Sequence, residues 1–387
     1  MSRATSGEWV LRRRLATQRL TAAPLPGAAE VVRLLACVQS QERDHALFSL
    51  GLRSRSDKYG AVRAELDRGA FVRTHILRPT WHFVAPADLR WIQALTAPRV
   101  LWSMAARHRQ LELADDRVVG RALDALAALL AGRTFRTRAE IGAQFAARPG
   151  MPKAGEQLGH LLMVAELRGL ICSGPSRGIH HSYALVDEVV DPTPPRTREE
   201  ALVELARRFF TGHGPAAVKD FTRWSGLTVA DTNAALAQLG DQLEATEVDG
   251  VRLWFDPAGP SRATGSRRAL LLPAYDEAVL TYPGLGFPAA EGHPHDAYRD
   301  AFWALVVLDA VNVGLWKRTV RGATVTVDVR LAASLGSVAR RGVRAGAERL
   351  AAFLERDLDY VEGSEAPHLW GGELGPPGRR PRRKDRT

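Results

Sequence analysis

Two glutamines separated by one residue, Gln39 and Gln41, are the side chains that most directly suggest chemistry in this sequence. They lie where an apolar, helix-spaced stretch gives way to a polar one. Side chains at positions i and i+2 do not share a face of a helix, but they do on extended or turn backbone. If both amides serve one site, we therefore expect a helix end or a loop here. The alternative is two polar side chains at the surface end of a helix.

A glutamine amide cannot accept a proton at useful pH, so this pair can only orient water or turn a carbonyl dipole toward positive charge. Glu42, Asp44 and His45 follow at once, and Glu42 could assist as a base. A charged flank at the start of a helix is more often a solvated face, which the helix dipole favours. On the residues alone, Gln39 and Gln41 are candidates for such a site, and the alternative of a polar helix end stays open.

A run with strand character, residues 72–84, contains Pro79 between two apolar halves and predicts a hairpin with its turn at Arg78-Pro79. Alternation along a strand would direct Arg78, Thr80 and His82 to one face, with His75 nearby. These side chains could bind phosphate groups. The alternative, a capped turn above packed aromatic residues, is compatible with this interpretation, because one face can pack while the other binds.

Other candidates lie further along the chain. Lys153 and Gln157 are spaced along one side of a predicted helix over 152–168, together with His160. Arg177 belongs to a predicted hairpin or surface turn, and Lys317-Arg318 follows a glycine-bearing turn, as a basic rim or as sheet-edge charge. The adjacent histidines 180 and 181 have no cysteine or carboxylate at ligand spacing. No phosphate-binding loop or nucleophile elbow appears, so no metal and no cofactor is expected.

Length and composition set the broad class. At 387 residues the chain exceeds what one core supports, which predicts two to four units. The net charge of +10 permits nucleic-acid binding, although residues 379–386 contribute half of it. Cys37 and Cys172 lie in apolar surroundings, as expected of buried thiols in a reducing compartment. Because neither a membrane span nor a signal peptide is recognisable, we expect a cytoplasmic protein.

The order helix, helix, helix, hairpin recurs three times, which predicts a tandem array. Within it, residues 28–37 and 86–110 are expected to be helical. Thr137 and Glu140 have the spacing of a capping box, and Asp249-Gly250 is typical of a hairpin turn. A β-rich module follows, with strand character over 270–280, 303–308, 313–320 and 323–329, a helix over 343–356 and a last strand over 358–362.

The glutamine segment together with residues 73–84 resembles the winged-helix DNA-binding proteins that include the AlkZ-like DNA glycosylases, whose active site carries a Gln-x-Gln signature. Segments 212–215, 272–277 and 312–318 also resemble this family, so the similarity extends over roughly residues 9–362. Ser40 stands where the family usually places an apolar or aromatic residue.

The resemblance implies an α+β, mainly helical fold with three tandem winged-helix units followed by a C-terminal antiparallel β-barrel-like module. The expected boundaries are 1–112 with the glutamine signature, 113–192, 193–262, 263–365 for the β-rich module, and a disordered basic tail over 366–387.

The implied function is a monofunctional DNA glycosylase that hydrolyses the N-glycosidic bond of bulky or crosslinked N7-alkylated purines. Gln39 and Gln41 would then position water and stabilise the developing cation. The alternative is a non-catalytic winged-helix DNA-binding protein, a regulator or resistance factor. The expected partner is duplex DNA with alkylated purines, bound by a nucleoid-associated monomer without membrane or nucleotide cofactor. The expected DNA contacts are His75, Arg78, Thr80, His82, Lys153, Gln157, Arg177, Lys317 and Arg318.

Overall fold

The computed structural model describes residues 6–152, 154–260, 268–293 and 304–363. The predictions for Lys153, Trp303 and the basic tail lie outside these residues. The fold is α+β with more helix than strand, as predicted. No helix among the described residues is long and apolar enough to cross a membrane.

The first unit is built on a small sheet that contains the glutamine segment. Its elements are α1 (Gly7–Thr17), α2 (Ala28–Leu35), β1 (Cys37–Gln39), α3 (Arg43–Arg53), α4 (Tyr59–Asp67), β2 (Val72–His75), β3 (Trp81–Val84) and α5 (Pro86–Gln110). The predicted hairpin is confirmed as β2 and β3, and β1 adds to it in the order β1-β3-β2. The helix predicted over 28–37 ends earlier, because Ala36 takes a φ of 61° and turns the chain into β1. Gln39 therefore lies at the end of a strand, where extended backbone was expected to place both amides on one face.

The second unit repeats this order. Its elements are α6 (Asp116–Leu130), β4 (Arg136–Thr137), α7 (Arg138–Ala146), α8 (Glu156–Leu167), β5 (Ile171–Ser173), β6 (Ser182–Leu185) and the short α9 (Val186–Val189). Thr137 caps α7 in a complete capping box with Glu140, as its sequence predicts. The helix predicted from residue 152 begins only at Glu156, because Gly155 before it has a φ of 88°. The sheet order β4-β6-β5 matches that of the first unit.

The third unit has the same order in a reduced form. Its elements are α10 (Arg198–His213), α11 (Val218–Ser225), α12 (Val229–Leu239), β7 (Glu244–Val248) and β8 (Val251–Phe255). The predicted turn at Asp249-Gly250 joins β7 to β8, with φ values of 50° and 73° that suit a tight hairpin. A single bridge between Ala216 and Trp254 stands where the other two units have their additional strand.

The last module differs from the predicted antiparallel β-barrel-like module in one parallel edge strand and in a sheet that is open among the described residues. Its elements are β9 (Leu270–Leu272), α13 (Glu277–Leu280), β10 (Ala304–Leu308), β11 (Val311–Arg321), β12 (Thr324–Leu331), α14 (Ser337–Leu354) and β13 (Asp357–Glu362). Among the described residues they form an open sheet in the order β13-β12-β11-β10-β9. The edge strand β13 is parallel to β12, because α14 crosses over between them. The strand predicted over 270–280 stops at Leu272, since Asp276 caps the helical turn α13.

The largest hydrophobic core joins the first unit to the last module. Phe48 of α3 packs between Trp316 and Phe353, with ring centroids 6.4 and 5.2 Å away, and Tyr59 of α4 adds an edge contact to Phe353. A second core joins α5 and the sheet of the first unit to α10–α12. The cores thus cross the unit boundaries proposed from the sequence, which remain predictions, and the glutamine strand is supported by elements distant in the chain.

Candidate active site

Gln39 is held in place through both its backbone and its side chain. Its backbone N–H donates to Oε1 of Glu277 at 2.7 Å. Its side-chain Oε1 accepts from Nη2 of Arg78 at 2.6 Å. The residue is only 7% exposed, so the orientation of this amide is set before any substrate arrives.

Glu277, at the start of α13, is a buried carboxylate with several donors around it. Its Oε2 accepts from Nε1 of Trp224 at 3.1 Å and from Oγ1 of Thr281 at 3.2 Å. Nε2 of His213 lies 3.4 Å from the same oxygen. Burial by itself raises the pKa of Glu277, but His213, the N–H of Gln39 and the charge of Arg78 outweigh burial and lower the pKa to about 2. Glu277 is therefore an ionised anchor for the glutamine strand.

The loop before β3 brings Arg78 and His82 together, but it does not present His82 to solvent. His82 is fully buried, its Nδ1 lies 2.9 Å from the carbonyl of Thr80, and its Nε2 lies 3.5 Å from Nη2 of Arg78. Burial, with the nearby charge of Arg78, lowers the pKa of His82 to about 3. His82 is thus a neutral ring that donates through Nδ1 and accepts through Nε2.

The predicted β alternation does not run through Arg78, Thr80 and His82, because β3 begins only at Trp81, and the ring of His82 points into the protein. Their role as DNA contacts remains a prediction. Oγ1 of Thr80 is buried without a hydrogen-bond partner among the described residues. Arg78 is half-buried and burial lowers its pKa, while its Nη1 donates to the carbonyl of Arg223 at 3.2 Å. In this conformation His82 has no surface that could meet a phosphate.

Gln41 differs from Gln39 in being exposed, on the wall of a cavity of about 830 Å³ between the first and second units. Arg73 fixes the backbone of this segment, since its Nη2 donates to the carbonyl of Ser40 at 2.9 Å and to that of Gln41 at 3.3 Å. The guanidinium of Arg73 lies 4.1 Å above the Trp81 ring, and burial lowers its pKa to about 10. The backbone of Gln41 is therefore rigid while its amide faces open space.

The cavity is large enough to hold a nucleobase and its substituents. Its walls come from the glutamine segment, β2, the loop after it, β3, α5, α7, α8 and β6. A second cavity of about 1230 Å³ adjoins it and shares Trp81, Arg138 and Tyr183. Together they form a cleft, and Gln41 lines only the smaller of the two cavities.

The remaining predicted DNA contacts are dispersed. Nε2 of Gln157 donates to the carbonyl of Leu111 at 2.9 Å, Nη1 of Arg177 pairs with Glu140 at 2.9 Å beside the larger cavity, and Nζ of Lys317 lies 3.9 Å from Asp328. Arg318 is partly buried, which lowers its pKa, and faces Asp44. Neither Lys317 nor Arg318 lines either cavity. His75 contacts Glu166 and lines the smaller cavity.

Several residues that support the site were not predicted as site residues from the sequence. Asp276 accepts both Nη1 and Nη2 of Arg53, at 2.8 and 2.7 Å, and both side chains are completely buried. Asp276 and Glu277 are two consecutive carboxylates within the otherwise mostly apolar stretch 270–280, and buried carboxylates require partners. Two adjacent carboxylates in a mostly apolar stretch were the feature of the sequence that could have identified these supporting residues. No cluster of three or more potential metal ligands occurs among the described residues.

The fold and the site define an α+β enzyme with a cleft lined by amide, aromatic and basic side chains. The family described as "DNA glycosylase AlkZ-like" matches residues 32–353. This span contains the glutamine segment, Arg73, Arg78 and Glu277, and the chain belongs to this family of DNA glycosylases, which hydrolyse N-glycosyl bonds in DNA.

Two comparisons accompany the family match. The chain is 26% identical over 327 residues to the interstrand DNA cross-link repair glycosylase of Streptomyces sahachiroi, covering 79% of this chain and 85% of that protein. It is also similar to the solved structure of Streptomyces sahachiroi DNA glycosylase AlkZ, with a TM-score of 0.73 and 21% identity, covering 93% of this chain and 100% of that one. The structural likeness supports the fold.

Proposed function

We propose that this protein excises bulky or crosslinked N7-alkylated purines from duplex DNA, with Gln39 and Gln41 acting on the sugar. The observation that carries this proposal is the contrast between the two amides. Arg78 and Glu277 immobilise Gln39, while Gln41 projects from a fixed backbone into a cavity of nucleobase size. Such preorganised dipoles stabilise charge that develops in a transition state.

The substrate class follows from what amides can do. A purine alkylated at N7 carries a formal positive charge, so it departs without protonation by a strong acid. The reaction then needs a positioned water and stabilisation of an oxocarbenium-like sugar. The amide of Gln41 is free to hold the water, and the carbonyl dipole of Gln39 is directed by Arg78.

The proposed preference for bulky adducts is based on the volume of the two adjoining cavities. The cavity beside Gln41 adjoins the larger one, and Trp81, Arg138 and Tyr183 line both. We propose that a substituent on the purine extends toward this second cavity. The name of the Streptomyces sahachiroi relative, an interstrand cross-link repair glycosylase, agrees with this preference.

The three units are proposed to be winged helices that bind the duplex. Each has three helices, a hairpin, and a strand or bridge that pairs with the last hairpin strand. In this fold the third helix enters the major groove, which assigns α4, α8 and α12 to that position. Arg177 lies on the hairpin loop of the second unit, and we propose that it contacts a phosphate.

The test is excision from matched duplexes that contain 7-methylguanine, a bulky N7 adduct or an N7–N7 crosslink, without metal or nucleotide. The expected product is free alkylated purine and an abasic site. Gln39→Ala and Gln41→Ala should each lower the single-turnover rate about a hundredfold, with DNA affinity nearly unchanged. Glu42→Gln is the matched control and should change little. Binding of every duplex without any excision would instead identify a non-catalytic DNA-binding protein.

A further inference from the structure

His75 and Glu166 form an imidazole–carboxylate pair between the first and second units. Nδ1 of His75 contacts Oε2 of Glu166, which lies on α8 and is completely buried. Nε1 of Trp81 lies 3.3 Å from both carboxylate oxygens, and Nε2 of Gln93 donates to the backbone carbonyl of Glu166 at 2.7 Å. The carboxylate therefore has a fixed position behind the imidazole.

This pair directs the other nitrogen of the imidazole to the active site. His75 lines the cavity that contains Gln41, and its Nε2 makes no hydrogen bond to any described residue. Arg73 and His75 lie on the same face of β2, two residues apart. The guanidinium of Arg73 lies 4.1 Å above the Trp81 ring, and the imidazole of His75 contacts the same ring in a tilted arrangement with 4.6 Å between centroids. Because Arg73 also holds the carbonyl of Gln41, the imidazole lies next to the glutamine segment.

Other titratable groups surround His75 on each element packed against it. His82 of β3, His160 of α8 and His181 before β6 all interact electrostatically with it. Burial lowers the pKa of each of these three imidazoles, so they remain neutral near neutral pH. The nearby charged groups are Arg73, on the same strand as His75, and Glu166. The cavity wall adds Arg138 and the ion pair of Arg107 with Glu156. Tyr183 stays protonated because burial raises its pKa.

We propose that His75 is the general base of excision and that Glu166 is its positioning residue. The inference rests on the proposed function. The water oxygen forms the bond to C1′ of the damaged nucleotide as the C1′–N9 bond breaks and its electron pair neutralises the alkylated purine. The proton of the water passes to Nε2 of His75. The proton on Nδ1 stays hydrogen-bonded to Glu166, which stabilises the imidazolium.

The discriminating variant is His75→Asn. The asparagine amide nitrogen takes the place of Nδ1 and can still donate to Glu166, but no base remains at the position of Nε2. A purely structural link between the units would survive this change. As a base, His75 should be needed for roughly a hundredfold or more of the single-turnover rate. His108→Asn, the same change at a buried imidazole outside both cavities, is the control and should keep the rate.

Glu166→Gln gives a second measurement that a structural role would not move. Excision by the unmodified protein should rise with pH as the imidazole loses its proton, and then level off. In Glu166→Gln the rise should occur at lower pH and reach a lower plateau, because the imidazolium has lost the carboxylate that stabilises it.

Three outcomes separate the possibilities. If the unmodified protein excises the adduct and His75→Asn does so at the same rate, the inference is overturned and the proposed function stays intact. Lack of excision by the unmodified protein would instead reject the proposed function itself. If His75→Asn loses its folded circular dichroism signal, the pH profile of Glu166→Gln decides, and a profile identical to that of the unmodified protein would overturn the inference.

Discussion

Glu277→Gln tests whether one buried carboxylate holds the glutamine strand. Burial raises the pKa of Glu277, yet its hydrogen bonds and neighbouring charges lower the pKa from 4.5 to about 2 in the folded protein. A tenfold change in an ionisation equilibrium corresponds to about 1.4 kcal/mol, so this difference corresponds to about 3 kcal/mol. Because the pKa is lowered, the stabilisation is complete at pH values above about 4.5 and is lost as the pH falls toward 2.

We therefore expect Glu277→Gln to lower the free energy of unfolding at neutral pH by about 3 kcal/mol, measured by urea denaturation and tryptophan fluorescence. The difference from the unmodified protein should shrink as the pH is lowered below about 4.5. Glu348→Gln removes a carboxylate from an exposed pair with Arg344 and should cost less than about 0.5 kcal/mol.

A loss below about 1 kcal/mol for Glu277→Gln, or a loss that does not depend on pH, would refute the assignment of Glu277 as an ionised anchor. Excision provides the functional readout of the same variant. The N–H of Gln39 loses its charged acceptor, so the single-turnover rate should fall with the stability. A destabilised variant with an unchanged rate would show that the position of Gln39 does not depend on this contact.

Two further predictions concern binding and packing. Affinity for undamaged duplex DNA, measured by fluorescence anisotropy, should fall at least roughly tenfold between about 50 and 200 mM salt, because phosphate contacts release counterions. Deletion of residues 379–387 is the control. An affinity that does not change with salt would contradict DNA binding. Gly212→Ala should lower the free energy of unfolding by roughly 1–3 kcal/mol, because the new Cβ would lie 2.5 Å from the carbonyl oxygen of Leu34. Gly120→Ala meets no atom within 4 Å in α6 and should be neutral or stabilising by up to about 1 kcal/mol, so equal losses in both variants would refute the packing argument.

Features that depend on neighbouring residues could be predicted from the sequence. The capping box at Thr137, the turn at Asp249-Gly250 and the bounds of α5 are all confirmed. Each follows from the chemistry of a few consecutive residues. The last strand was predicted over 358–362, but neither the strand β1 nor the parallel pairing of β13 with β12 was. The partners β3 and β12 lie beyond intervening helices, and strand pairing depends on the whole fold.

The same distinction holds for the candidate site. Gln39 and Gln41 are adjacent in the chain and could be singled out, whereas the group that anchors Gln39 lies 238 residues away. The sequence pattern also does not distinguish a buried imidazole such as His82 from an exposed one. Alternation along a strand predicts which residues share a face of the sheet, but it does not predict whether that face is buried or exposed. His75 could be named as a site residue, but its partner Glu166 lies within a helix whose other buried residues are mostly apolar.

The core shared by the first unit and the last module also determines when the protein can fold during synthesis. Phe48 and its neighbours leave the ribosome early, but Trp316 and Phe353, which cover them, are made some 270 to 300 residues later. At about 5–20 residues per second this interval is on the order of fifteen to sixty seconds. During that time the glutamine strand lies on an incomplete core, and the apolar side chains of the first unit that belong to this core lack their partners from the last module. A premature stop after residue 260 should yield an aggregating fragment without residual glycosylase activity.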